Sequence, residues 1–126
     1  MAMGRKSFVN ICKNGTLEEV REALANGADV NKRNKGRDTN LMVAVNDVNE
    51  PLVSLLLQQP GIQVNAKNGG AGCTALHYAA YYCHGTKGRK LIKLLLNFPG
   101  IDTKITTDDG KTPLLIVKKK EIQKSI

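Results

Sequence analysis

Cys73, His77, Cys83 and His84 are the residues whose types could hold a metal, because thiolate and imidazole together make the usual zinc ligand set. Their spacing speaks against it. His77 follows Cys73 by four positions, Cys83 and His84 are adjacent, and no tight Cys-x-x-Cys pair exists. A structural role for His77 as a hydrogen-bonded core imidazole explains it without a metal. Cys83-His84 remains as a third reading, a metal or redox site. Catalytic patterns are missing: no Gly-x-x-x-x-Gly-Lys-Ser/Thr phosphate loop, no Gly-x-Ser-x-Gly elbow and no His-Glu-x-x-His. No enzymatic activity and no cofactor are expected. The residues suited to recognition stand out more. Tyr81 and Tyr82 are adjacent in a chain with three Tyr, two Phe and no Trp. Tyrosines at solvent-facing positions offer large contact area at low entropic cost.

These residues sit in a repeated frame. Gly72–Ala80 reads GCTALHYAA, Gly36–Val45 reads GRDTNLMVAV and Gly110–Val117 reads GKTPLLIV. Thr39, Thr74 and Thr112 each open an apolar run, at separations of 35 and 38 residues. A period in this range means stacked supersecondary units. LVSLLL at 52–57 and LIKLLL at 91–96 supply a second helix per unit. NGADVN at 26–31, PGIQVN at 60–65 and PGIDTK at 99–104 then turn the chain. Gly27, Gly61 and Gly100 fall where a helix ends in a left-handed residue. Val30, Val64 and, in the same register, Thr103 then enter an extended arm.

The strings resemble the Gly-x-Thr-Pro-Leu-His-x-Ala-Ala signature of ankyrin repeats, and the resemblance covers the chain from about Phe8 onward. It implies an all-α solenoid of helix–turn–helix units joined by β-hairpin-like loops. An N-terminal capping repeat spans about 4–33, followed by repeats at 34–65 and 66–104 and an incomplete C-terminal repeat at 105–126. Asn40 takes the family's Pro position and Met42 its His position. Short helices are expected over Phe8–Lys13, about 40–47 and about 51–58. Ser7 and Thr16 are N-caps, and Glu19 completes a capping box with Thr16. The third unit carries extra residues within CHGTKGRK at 83–90, whose Gly85 and Gly88 predict a flexible basic loop rather than a helix extension. The Gly-rich stretch 68–72 is expected to be mobile, and 119–126 to fray.

The resemblance also implies that ligands meet hairpin tips and the exposed faces of first helices. By position these are Arg33, Lys35, Arg37 and Asp38; then Lys67, Asn68 and Ala71; then Thr107, Asp109 and Lys111. Asn46, Asp47, Tyr81 and Tyr82 are the helical positions, while Tyr78 is read as core. Asn31 and Asn65 close the extended arms, where similar asparagines in some relatives are hydroxylated. Asn65 has Leu57 eight residues upstream but Gln63 where an acid is preferred. A turn-stabilising role is the alternative for both.

The net charge of +8 is uneven: residues 1–34 carry +2, 35–70 balance, and 71–126 carry +6. Lys87, Arg89, Lys90, Lys93, Lys118, Lys119 and Lys120 form a candidate basic patch, which would suit nucleic acid or an anionic membrane surface. Three cysteines without an apolar leader, and no run of about 18 apolar residues, predict an intracellular monomer with reduced thiols and no transmembrane segment. The function these features predict is a protein-interaction scaffold that binds a partner protein or peptide, an acidic one by charge, with the basic patch as the alternative surface.

Overall fold

The computed structural model describes residues 7–82 and 84–118. Cys83, Lys119 and Lys120, and with them the expected fraying of 119–126, lie outside the described residues. Six helices follow in order: α1 (Phe8–Asn14), α2 (Leu17–Ala25), α3 (Asn40–Asn46), α4 (Glu50–Leu57), α5 (Ala75–Tyr82) and α6 (Gly85–Leu96). Residues 113–118 are also helical. No strand occurs among the described residues; the hairpins are marked by a single antiparallel bridge between Arg33 and Thr39.

Each start has a local cause. Ser7 accepts from the Asn10 N–H, and Thr16 and Glu19 form the reciprocal capping box. Thr39 caps α3 by accepting from the Met42 N–H, and Asn49 caps α4 one residue before the Glu50-Pro51 start. The stops are as local. Gly27, Gly61 and Gly100 have φ of +94°, +77° and +86°, conformations that any side chain would strain.

Packing follows from pairing within units and stacking between them. α1 packs on α2, α3 on α4 and α5 on α6, while α1–α3–α5 form one row and α4 stacks on α6 in the other. The core is aliphatic. Leu41, Val45, Val53, Leu56, Leu91 and Leu95 are all at most 1% exposed. Val30 and Val64 plug the arms into this core, whereas Thr103, expected in the same register, is exposed.

One expectation is corrected. The residues from Gly85 to Lys90 are not a loop but the first turns of α6, which runs for 12 residues against 8 for α4. Gly88, Leu91 and Leu95 recur at i, i+3 and i+7 and are all buried. Burial of that stripe outweighs the roughly 1 kcal/mol that glycine costs in a helix. The Gly-rich stretch 68–72 is a hydrogen-bonded turn. The Asn68 side chain accepts from the Gly72 and Cys73 N–H groups at 2.9 and 3.0 Å, and Arg37 lies directly over Gly69.

The turns are stitched across units by asparagine. Asn31 donates to the Gly61 carbonyl at 2.8 Å and accepts from the Gln63 N–H at 2.9 Å. Asn65 repeats this on the Gly100 carbonyl and the Asp102 N–H at 2.9 and 2.8 Å. Both amide ends are thereby used on the backbone of the following unit.

Candidate functional site

The first helices form one wall of side chains with a cleft of about 490 Å³. Val9, Cys12 and Lys13 of α1 lie on one side, Met42, Val43 and Asn46 of α3 form the middle, and Tyr78 and Tyr82 of α5 close the other side. Asn34 and Asp38 of the first hairpin stand at the mouth.

Spacing on α5 explains the tyrosines. Tyr78 and Tyr82 are four residues apart and share a face, with ring centroids 6.0 Å apart and planes at 30°. Tyr82 is 52% exposed and so presents an aromatic surface to solvent. Tyr81 is half-buried and tilts at 44° to Tyr82. Tyr78 packs against the core as the sequence implies, and the Tyr81 and Tyr82 rings meet at 5.9 Å; the additional Tyr78–Tyr82 contact follows from their i, i+4 spacing.

Tyr78 is fixed by polar contacts. Its hydroxyl donates to Asp38 Oδ1 at 3.0 Å and accepts from Asn68 Nδ2 at 2.9 Å. Burial, then the Asp38 hydrogen bond, pushes the phenol up to about 12. The network joins both hairpins to α5, so the aromatic wall is pre-formed.

Several expected contact residues are already engaged within the fold. Arg33 Nη1 donates to the Arg37 and Lys67 carbonyls at 2.9 and 2.8 Å. Asp47 pairs with Lys13 at 3.0 Å across α1 and α3. Lys67 lies 4.0 Å from Asp108, and Lys111 3.2 Å from Asp109. The Thr107 hydroxyl and then Lys111 hold the Asp109 carboxyl below its usual range, and Asp109 in turn raises Lys111. Lys35 and Arg37 are exposed at the first tip, the latter with φ +66°. Lys87, Arg89, Lys90 and Lys93 are all exposed along α6, and Lys118 at the end of 113–118.

His77 is fully buried and structural. Nδ1 accepts from the Thr74 N–H at 3.0 Å, and Nε2 meets the Lys111 carbonyl at 2.9 Å. A carbonyl can only accept, so the ring is the Nε2–H tautomer and ties its unit to the next hairpin. In the preceding unit Met42 has no donor for such a link, and Arg33 makes the cross-unit bond to the Lys67 carbonyl instead. Among the described residues no group of three His, Cys, Asp or Glu is placed to hold a metal. None of their helices is long and apolar enough to cross a membrane.

Cys12 and Cys73 are both buried. Burial pushes the Cys12 thiol up to about 12. It raises Cys73 as well, with Asp109, Asp108 and Asp38 adding to the effect. Thiol labelling at pH 8 should therefore modify Cys12 on the order of a thousandfold more slowly in the native than in the unfolded chain, read by peptide mapping. Fast native labelling of Cys12 would contradict the buried placement. Both Cys12 and Tyr78 have folded-state values above their unfolded ones. Their contributions to stability are present below about pH 9 and pH 10 respectively and are lost as pH rises toward 12.

The profile described as ankyrin repeats (three copies) matches residues 8–107. A fowlpox virus protein named as an ankyrin repeat protein is 36% identical over 104 residues, covering 81% of this chain and 29% of that protein. A Dictyostelium discoideum protein named as a serine/threonine-protein kinase is 30% identical over 106 residues, covering 81% of this chain and 12% of that protein. The chain thus spans less than a third of the length of either relative.

Proposed function

The chain belongs to the ankyrin-repeat family, whose repeats are protein–protein interaction modules, and we propose that it acts as a non-catalytic scaffold whose concave face holds a partner protein. The observation that carries this reading is the cleft across α1, α3 and α5. It is walled by the Tyr78–Tyr82 pair and bordered by Lys13, Asp47 and Asp38. Tyr82 is the anchor, because an exposed aromatic ring braced by a hydrogen-bonded neighbour loses little freedom on binding. In this reading Tyr81 and the tip residues Arg33, Lys35, Arg37, Lys67 and Lys111 add contacts beyond the cleft, whose lining includes Asn46. An intracellular setting with reduced thiols fits this role.

The exposed row Lys87, Arg89, Lys90 and Lys93 supports a second reading, in which α6 and Lys118 meet an anionic polymer or lipid surface. The two differ in salt dependence. Nucleic-acid binding weakens log-linearly with salt, by about one unit of slope per phosphate contact.

Capture from a nuclease-treated lysate, with wild type beside Tyr82→Ala, tests the first reading. The variant should keep its circular dichroism and melting temperature and lose about tenfold in retained partner. Capture that is indifferent to Tyr82 but abolished by nuclease or moderate salt would move the binding surface to α6.

A further inference from the structure

Two hydrogen-bond acceptors in the concave cleft are left without a donor. Asn40 is 2% exposed, opens α3 and lines the cleft. Its side-chain nitrogen donates to the Val30 carbonyl at 3.4 Å, and no described residue donates to its Oδ1. Every fully enclosed side-chain nitrogen or oxygen among the described residues has a partner, so this oxygen reaches open space, and the cleft is where Asn40 meets it. Asp38, two residues earlier, lines the same cleft. Its Oδ1 accepts from the Tyr78 hydroxyl at 3.0 Å and from Asn68 Nδ2 at 3.2 Å, whereas no described residue donates to Oδ2. Buried acceptors of this kind are normally satisfied, and a ligand that carries donors would satisfy both.

The cleft also differs in charge from the chain around it. Lys13 and Asp38 are the charged side chains among the described residues that line it. Lys13 is held on Asp47 at 3.0 Å, which leaves the Asp38 carboxylate as the uncompensated charge. The chain as a whole carries +8. Its nearby guanidinium groups are engaged elsewhere: Arg33 donates to the Arg37 and Lys67 carbonyls, and Arg37 lies over Gly69. Beside the acceptors stand the Tyr78 and Tyr82 rings, the latter 52% exposed.

We propose that the cleft takes the side chain of an arginine carried by the partner protein, an assignment that rests on the concave face being the binding surface. A guanidinium is planar and carries five N–H donors. It stacks on an aromatic ring such as Tyr82 and still has donors for Asp38 Oδ2 and Asn40 Oδ1. An ammonium is a strongly hydrated point charge with no plane to stack, and a carboxylate or phosphate meets Asp38 as a like charge. Net charge steers acidic surfaces toward the chain, while this cleft selects a cation.

The test titrates capped Gly-Gly-Arg-Gly-Gly into the full ¹⁵N-labelled chain, beside the same peptide with lysine, citrulline or glutamate at the centre. The arginine peptide should give saturable amide shifts centred on Asp38, Asn40, Tyr78 and Tyr82, with a Kd on the order of millimolar. The lysine peptide, and the arginine peptide on Tyr82→Leu, should each bind about fivefold more weakly. Citrulline has the same shape without the charge and should give no saturable shift, nor should glutamate. Asp38→Asn keeps an acceptor for the Tyr78 hydroxyl and should remove the preference for arginine over citrulline. Tyr82 is exposed, so Tyr82→Leu tests the site even if Asp38→Asn lowers stability. Equal shifts from all four peptides, none from arginine, or arginine binding indifferent to Tyr82 would overturn the proposal. If Tyr82→Ala loses a lysate partner while arginine shows no preference, the arginine assignment falls and the concave face stands. Lysate capture indifferent to Tyr82 removes both.

Discussion

Replacing His77 by alanine is expected to lower the unfolding free energy by about 3 kcal/mol. The side chain is 0% exposed and joins two units through Thr74 and the Lys111 carbonyl. Truncation leaves a cavity, a buried N–H that has lost its acceptor and a carbonyl that has lost its donor. A solenoid has contacts only between neighbours, so a lost link between the third and fourth units is not shared by the rest of the structure. The matching drop in melting temperature is roughly 10 °C. His77→Gln keeps a donor and should recover part of the loss. A cost below about 1 kcal/mol for His77→Ala would show that the cross-unit bond is dispensable.

Leu56→Ala should cost about as much, near 3 kcal/mol, by a different route. Leu56 is 0% exposed on α4, which packs against α3 in its own unit and α6 in the next. The truncation removes buried apolar surface and leaves a void between units that the close-packed surroundings fill only in part. Its neighbour Leu57 is half-buried on the same helix, so Leu57→Ala provides the control and should cost less than about 1 kcal/mol. Urea denaturation of both variants separates the outcomes. Equal losses at 56 and 57 would mean that α4 is not seated as described.

The repeat frame was legible because its signals are local. Thr16 with Glu19, and Ser7 with Asn10, cap helices by contacts three residues apart. The glycines at 27, 61 and 100 mark stops for a backbone reason that holds in any context. His77 could be read as structural because a buried imidazole needs partners, although which carbonyl it meets could not be read. Residues 85–90 misled for the opposite reason. Two glycines argue locally for a loop, and only the burial of Gly88, Leu91 and Leu95 against neighbouring helices favours a helix.

The candidate site was legible in composition but not in geometry. The sequence by itself determined an all-helical stack, its aliphatic core and its excess of positive charge toward the C-terminal half, since periodicity, caps and turns act over a few residues. The tertiary structure decided how those residues are used. It set Tyr78, packed against the core as expected, also against the Tyr82 ring, and it engaged Arg33, Lys67, Asp47 and Lys111 in contacts inside the fold. The contacts of Arg33 with Lys67, Lys13 with Asp47 and Lys67 with Asp108 depend on which faces meet across about 30 to 40 residues of chain, a distance over which stacking, not local propensity, fixes the arrangement.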